Sequence, residues 1–382
     1  MADNTSLGAA KSAKNDEFYT QYSDIEAEMN AYVEYNKDVF RDKTILLPCD
    51  DPEWSEFTRY FASNFERFGI KKLISTSYAK GAANAQLSLF EMDSPLYDEY
   101  KHAEHGRLYT LTRDTDGSGN IDTDDIEFSG YLEGDGDFRS DEVKKLRDEA
   151  DIIITNPPFS LFREFLKWIL DAKKQFIIVG NINAITYKEV FPFVMKNEIW
   201  VGAHFNKTVE FIMPDDYELK GKAYIDKNGK KHGFVPGVSW LTNIDLASRH
   251  NEIIMDTAAH NLKFNKRLIK KLKTEYNATD YPVFVNYDAI EVPFTECIPS
   301  DYDGNMAVPV TFMGRYVPSQ FQIIGASSMI GEATPETIEY DIRRGRKGGK
   351  GGAFYVRTGM GPDDYRRVYD RIIIRHKKGQ IE

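Results

Sequence analysis

Cysteine is nearly absent: the 382 residues contain only Cys49 and Cys297. Two isolated thiols exclude a disulfide framework and a clustered thiolate zinc site, and they suit a reducing compartment. Long apolar runs are missing as well. The longest, such as Ile152 to Ile154 and Phe176 to Val179, fall far short of the ~20 residues that cross a bilayer as a helix. The opening stretch MADNTSLGAAKSAKNDEF has no apolar signal core, so the expectation is a cytoplasmic protein with no membrane partner. An excess of positive charge is also lacking, since the formal net charge is −11, which argues against a uniformly basic nucleic-acid surface. Core material, by contrast, is plentiful. At 41% hydrophobic and 13% aromatic content, the chain can pack one large or two ordinary domains.

The net charge conceals its distribution. From Asp341 to Glu382 there are twelve Lys/Arg against five Asp/Glu, a local +7, which leaves −18 on the first 340 residues. Within that end lies RRGRKGGKGGAFYVRTG, residues 343 to 359, a basic glycine-rich stretch read as too flexible for a helix or a central strand. It is either a solvated loop or a phosphate-binding segment.

The first two-thirds of the chain alternates between two periods. TILLP at 44 to 48 is a short apolar strand, and apolar or aromatic residues at 54, 57, 60, 61, 65 and 68 predict a helix over Trp54 to Phe68. KLIS at 72 to 75 is the next strand. Helices are expected at Val143 to Ala150 and Leu161 to Ala172, and strands at Asp151 to Thr155, Gln175 to Gly180, Glu198 to Gly202, Thr208 to Met213 and Val238 to Thr242. Such alternation predicts an α/β fold with a doubly wound sheet that binds ligands at the carboxyl ends of its strands. Beyond about residue 250 the pattern fades into a helical patch, Asn261 to Leu272, followed by aromatic, proline-rich loops. A domain boundary is expected near 245 to 255.

Residues 151 to 160, DIIITNPPFS, put an amide, two prolines and an aromatic ring just past a buried strand. The prolines remove two backbone donors and restrict the chain, so the carbonyls of the turn are held in place as acceptors. The side-chain oxygen of Asn156 and the main-chain oxygen of Pro157 can accept both hydrogens of a planar amine and localise its lone pair for attack. Pro158 stiffens the turn and Phe159 offers a stacking face. Aromatic residues at Phe205, Phe211 and Trp240 are candidates for a second wall, or ordinary core.

TNPPFS, with GDGDF at 134 to 138 upstream, resembles the catalytic and cofactor-adenine motifs of S-adenosyl-L-methionine-dependent methyltransferases acting on exocyclic amines. KNDEFYTQYSDIEAEM at 14 to 29 is similar to their amino-terminal methionine-binding motif. ILLPCDDPEWSEF at 45 to 57 and YDGNMAVPVTFMGRYVPSQFQIIG at 302 to 325 resemble the EcoRI-type DNA adenine methyltransferases in particular, over most of the chain. The resemblance implies a Rossmann-like methyltransferase sheet in a catalytic domain at 1–250, with a hairpin inserted at 113–131, and a DNA target-recognition region at 251–382. It implies site-specific transfer of a methyl group to N6 of an adenine flipped out of duplex DNA. Asn156, Pro157, Pro158 and Phe159 would hold the base. Asp137 or Phe138 would meet the cofactor's adenine, and Phe18, Tyr19 and Thr20 with Pro48, Cys49, Asp50 and Asp51 would surround its methionine end, Asp50 or Asp51 taking the amino group. The usual glycine-rich turn after the first strand is replaced by Pro48 to Pro52, and no acid follows the second strand, where Ser75 to Tyr78 stand. Double-stranded DNA is the implied partner, and a cognate restriction endonuclease is a further one. Arg315, Arg343, Arg344, Arg346, Lys347 and Lys350 are candidate DNA contacts, and the binding should weaken steeply with salt.

Two features compete. DTDGSGNIDTDD, residues 114 to 125, matches a calcium loop at most positions, but its twelfth residue is Asp125 and its flanks read as strands rather than helices. No metal is expected. Pro48-Cys49 is similar to the nucleophile pair of cytosine-ring methyltransferases but stands at the first strand, so a buried, unreactive thiol is expected. Other substrates for an NPP turn, a guanine amine of RNA or a protein amide, and an idle DNA-binding or calcium-binding scaffold are the alternatives.

Overall fold

A computed structural model of the chain describes residues 19–79, 94–205, 210–213, 223–234, 237–347, 352–359 and 365–377. Two compact units emerge, one of Met1–Ile182 with Val201–Leu246, the other of Asn183–Trp200 with Ala247–Glu382. The segment Asn183–Trp200 thus groups with the carboxyl-terminal unit, a long-range association that no local pattern announces. Among the described residues no helix is long and apolar enough to cross a membrane.

The first twelve strands are β1 (Tyr19–Thr20), β2 (Thr44–Leu47), β3 (Lys72–Ser77), β4 (Arg107–Leu111), β5 (Glu127–Tyr131), β6 (Ile152–Thr155), β7 (Gln175–Asn181), β8 (Trp200–Val201), β9 (Glu210–Ile212), β10 (Tyr224–Ile225), β11 (Lys231–Phe234) and β12 (Val238–Thr242), all within the first unit except for Trp200. The large sheet has the order β5-β4-β3-β2-β6-β7-β12-β8. Its centre, β3-β2-β6-β7, is parallel, while β4 and β5 on one side and β12 on the other are antiparallel additions. The centre follows from the sequence: TILL and IIIT are buried at every residue, the continuous apolar run that a strand covered on both faces requires. A smaller sheet, β1-β9-β11-β10, pairs Thr20 with Phe211.

Helices α1 (Tyr22–Tyr35), α2 (Glu56–Ser63), α3 (Asp141–Glu149) and α4 (Phe162–Asp171) belong to this unit. α2 starts on Ser55, whose hydroxyl accepts from the amides of Phe57 and Thr58, a side-chain cap. The single helix expected over Trp54 to Phe68 is broken at Asn64. The Asn64 amide donates to Tyr60 O at 2.9 Å, a local bond that competes with the helical ladder, and a short helix resumes at Phe65–Phe68 and ends on Gly69 at φ 64°.

The second unit departs from its expected loops. It contains β13 (Ile290–Glu291), β14 (Met306–Pro309), β15 (Phe321–Ala326), β16 (Phe354–Arg357), β17 (Tyr365–Val368) and β18 (Arg371–His376), with helix α5 at Pro335–Arg343. Four of these strands form a sheet of order β13-β14-β18-β15, in which Ile372, Ile373 and Ile374 are fully buried. The alternation is obscured in sequence because β14 ends in a proline and β15 carries a register shift between Ile323 and Gly325, and a bulge of this kind resets the two-residue period. Strand structure also lies within the basic glycine-rich stretch, since Phe354–Arg357 pairs with Tyr365–Val368.

Candidate active site

The chain leaves β2 toward β3 on one side and returns to β6 on the other, so the sheet reverses between β2 and β6. The loops after these two strands diverge and open a crevice at their carboxyl ends, the place where doubly wound sheets bind ligands. Pro48 to Asp51 follows β2, and Asn156 to Phe159 follows β6. A side chain joins them: the Thr155 hydroxyl donates to Pro48 O at 2.9 Å.

The β2 loop is fixed from three elements. Cys49 N donates to the Thr76 hydroxyl at 3.2 Å. Asp50 O accepts from Thr58 Oγ1 at 2.9 Å and also from Ser75 Oγ. Cys49 adopts φ 67°, so the left-handed residue that a glycine-rich turn would supply is present without the glycine. The thiol is half-buried, not the buried core group expected, because the turn carries its side chain off the strand. A left-handed backbone costs a non-glycine residue about 1–2 kcal/mol. Cys49→Gly should therefore leave stability within about 1 kcal/mol, and β-branched Cys49→Val should lose about 1–2 kcal/mol more in thermal unfolding. Equal stability of the two variants would contradict this.

Both aspartates of the loop are buried. Asp50 Oδ1 accepts from the Ser55 hydroxyl at 2.7 Å, while Oδ2 has no hydrogen-bond partner among the described residues. Burial pushes the Asp50 carboxyl up to about 7, against the pull of the Thr155 and Ser55 hydroxyls. Asp51 forms an ion pair with Arg107 at 3.2 Å, the two side chains being 8% and 4% exposed. Arg107 opens β4 and pairs in register with Ser77, so it ties Asp51 toward the end of β3, the strand after which no acid stands in sequence. Nothing in the residues around 107 announced this pair.

The GDGDF segment runs beside that same strand end. Ala79 N donates to Asp135 O at 2.8 Å and the Tyr78 hydroxyl to Asp135 Oδ2 at 2.8 Å, which pushes the phenol up to about 12. Gly136 sits at φ 88°, and a Cβ there would lie 2.5 Å from Ser77 O, so only glycine permits the approach. Asp137 is half-buried and held by Arg139 through contacts of 2.9 and 2.6 Å, which keep its carboxyl below the ordinary range. Phe138 is 3% exposed, packed edge-on against Phe165 and Trp168 at 5.1 and 5.7 Å. Its ring thus packs in the core, while Asp137 beside it stays half-buried.

On the other side of the crevice, Pro157 is buried, and Asn156, Pro158 and Phe159 are half-buried. The Asn156 side-chain oxygen is shielded from water. The turn's own hydrogen bonds, Leu161 N to Pro158 O at 3.0 Å and Phe162 N to Phe159 O, leave the Pro157 carbonyl out. Of the three aromatics weighed for the second wall, Phe211 and Trp240 are 0% and 1% exposed and belong to the core. Phe205 is half-buried. It follows Ala203 and His204, whose amides donate to fully buried Glu28 at 2.8 and 2.9 Å.

β1 lies against α2, and there Thr20, 3% exposed, has a hydroxyl with no hydrogen-bond partner among the described residues. The chain of Tyr19 is placed, while Phe18 lies outside the described residues. Two orphaned buried oxygens, Thr20 Oγ1 and Asp50 Oδ2, are what a site for an amino-acid-like ligand would present, because unpartnered buried polar atoms cost stability until a donor arrives.

In the acidic hairpin loop, Asp114, Asp116 and Asp125 bring carboxylate oxygens within 4.8 Å of one another. Loop amides donate to two of them: Thr115 N reaches Asp125 at 2.6 Å and Gly119 N reaches Asp114 at 2.8 Å. The flanking elements are β4 and β5. In the second unit Arg315, Arg343, Arg344 and Lys347 are exposed, Arg346 pairs with Asp341 at 3.3 Å, and Lys350 lies outside the described residues.

A parallel sheet reversed at its switch point, with an acidic loop and an amide-and-carbonyl turn after the two strands there, is a Rossmann-like ligand-binding architecture, and its relatives make it one of the methyltransferase class. Residues 6–377 match the family described as adenine-specific methyltransferase EcoRI, and the chain belongs to that family. It is 41% identical to the Type II methyltransferase M.EcoRI of Escherichia coli over 85% of this chain and 89% of that one. Against the Type II methyltransferases M.MgeORF184P of Mycoplasma genitalium and M.MpnI of Mycoplasma pneumoniae, identity is 34% and 30%, covering 82% and 97% of this chain and 84% and 98% of theirs. No solved structure matches.

Proposed function

We propose that the protein transfers a methyl group from S-adenosyl-L-methionine to the exocyclic N6 amine of an adenine at a specific sequence in duplex DNA. The observation that carries this reading is the pairing of Asn156 and Pro157, after β6, with Pro48 to Asp51, after β2, across one strand boundary tied by Thr155. Family membership and the "Type II methyltransferase" relatives support the reaction class. The same names support a further reading, that the methylated site is one a partner restriction endonuclease would cut.

Bound in the crevice, the cofactor supplies an electrophilic methyl group on sulfur. Asn156 Oδ1 and Pro157 O accept the two hydrogens of the adenine amine and so direct its lone pair outward; the nitrogen carries the positive charge once methylated and gives its surplus proton to solvent. Phe159 stacks on the base, which must leave the duplex at a cost of about a few kcal/mol. Asp50 and Thr20 hold the methionine end of the cofactor, and Asp137 serves its adenosine end. Because the reaction is a direct displacement, positioning contributes much of the rate. The test is to incubate the protein with unmethylated DNA and cofactor and to digest to nucleosides. Mass spectrometry should detect N6-methyladenine, and methylcytosine or no modified base would overturn the reading.

Asp50 gives a pH signature. Its folded value near 7 lies above the ordinary ~3.9, so its contribution to stability is full below about 4 and lost as the pH rises toward 7. A bound ammonium favours the carboxylate, so cofactor affinity should rise about tenfold between pH 5.5 and 7, with uptake of the ligand releasing a proton. The range stops there because a free α-amino group titrates at about 7.7–8.0. Calorimetry in buffers of different ionisation enthalpy reads both effects, and Asp50→Asn should flatten them. A flat profile in the unaltered protein would remove Asp50 from the ammonium site.

A further inference from the structure

The second unit contains a packed patch of tyrosine and arginine, part of which falls in the stretch 343 to 359 that the sequence pattern presented as flexible. In the ribbon of β16 and β17, Tyr355 pairs with Arg367 and Arg357 with Tyr365, so these four side chains share one face. Helix α5 covers part of that face through Tyr340, whose ring stands 6.1 Å from Tyr355 and 5.9 Å from Tyr365, edge-on to both. Beneath, Asp341 accepts from the Tyr355 hydroxyl at 2.6 Å and is paired with Arg346. The other edge of β16 is also tied down, since Val285 N donates to Tyr355 O at 2.8 Å.

Cations rim this bed. The Arg357 guanidinium lies 5.4 Å from the Tyr365 ring centre and donates to the Tyr365 hydroxyl at 2.8 Å. Arg344 stands over Tyr340 at 5.7 Å. Arg343, Arg344, Lys347 and Arg357 are exposed. The acids on the helix are Glu336, which feels Arg357, Glu339, and Asp341, which is paired with Arg346, so against Arg343, Arg344, Lys347 and Arg357 the patch keeps a positive balance on a chain whose net charge is −11. A guanidinium whose plane is set by a ring and a hydroxyl is preorganised for a phosphate oxygen pair and loses little rotamer freedom when it binds.

We propose that this face grips the sugar-phosphate backbone of duplex DNA, with Arg343, Arg344 and Arg357 as direct phosphate contacts and the three tyrosines as the bed that holds two of those arginines in place. The proposal rests on the reading of the protein as a DNA methyltransferase. It assigns the patch to positioning rather than to sequence readout, because phosphates carry no base identity.

The experiment uses the full chain with the cofactor product bound and measures affinity by fluorescence anisotropy for a methylatable duplex and for one lacking the site, at several salt concentrations. Each phosphate contact contributes about 0.9 to the slope of log affinity against log salt. Arg357→Ala should lower the slope by about 0.9 on both duplexes, and Arg343→Ala/Arg344→Ala by about 1.8. Arg357→Lys keeps the charge and should restore the slope, which a purely structural role would not do. An unchanged slope would overturn the proposal, and so would a changed preference between duplexes at constant slope, which would mean base reading. The double variant at the exposed helix end guards against misfolding at Arg357. If the unaltered protein fails to methylate DNA, the parent reading fails. If it methylates DNA and the variants bind as it does, only this proposal fails.

Discussion

Asn156→Ala is expected to lower the single-turnover rate of methyl transfer by about 10²- to 10⁴-fold, the range typical of removing one oriented group that acts on the reacting atom. The expectation follows from what is left behind. Truncation removes the side-chain acceptor but leaves β6, its pairing to β7 and the Thr155 link to Pro48 in place, so cofactor and DNA affinities should change by only a few-fold. The amine would then keep one acceptor, the Pro157 carbonyl, with its lone pair delocalised into the ring. Asn156→Asp retains an oxygen at the same reach and should keep more activity than alanine. Single-turnover measurement matters here because slow product release would hide the chemical step in kcat. An alanine variant within tenfold of the parent rate would show that Asn156 does not hold the amine.

The strand Ile152–Thr155 and the turn that ends it were legible because they are local: three buried isoleucines, then an amide and two prolines, state in one decapeptide both a strand and its end. The parallel centre of the sheet was legible for the same reason. What escaped depends on partners far apart in the chain. Asp51 and Arg107 are 56 residues apart, and RLYTL reads only as a strand. The break at Asn64 turns on one side-chain bond that the apolar spacing does not register. In the second unit, β13 and β14 are only two and four residues long, too short to reveal a period, and the tyrosine bed joins residues 340, 355 and 365 from three elements.

Arg107→Met should carry the largest cost in stability, about 3–5 kcal/mol in denaturant unfolding, the usual consequence of leaving one member of a buried ion pair alone. The pair is nearly sealed, at 4% and 8% exposure, so screening by salt does little to it. The uncompensated charge would be Asp51, whose carboxylate also accepts from Glu53 N at 3.0 Å and whose carbonyl anchors Trp54 and Ser55 at 3.0 and 2.8 Å. Damage should therefore concentrate in the β2 loop and weaken cofactor binding beyond the loss in global stability. Asp51→Asn in the same chain removes the orphaned charge and should recover a large part of the unfolding free energy, since a neutral amide of similar shape is far less costly to bury than a carboxylate. The two variants thus separate stability from function. If Asp51 serves only to hold the loop, the double variant regains cofactor affinity along with stability. If the carboxylate also takes a ligand hydroxyl near the end of β3, stability returns and affinity does not. A single Arg107→Met change that costs under 1 kcal/mol would mean that the pair contributes nothing to holding the loop.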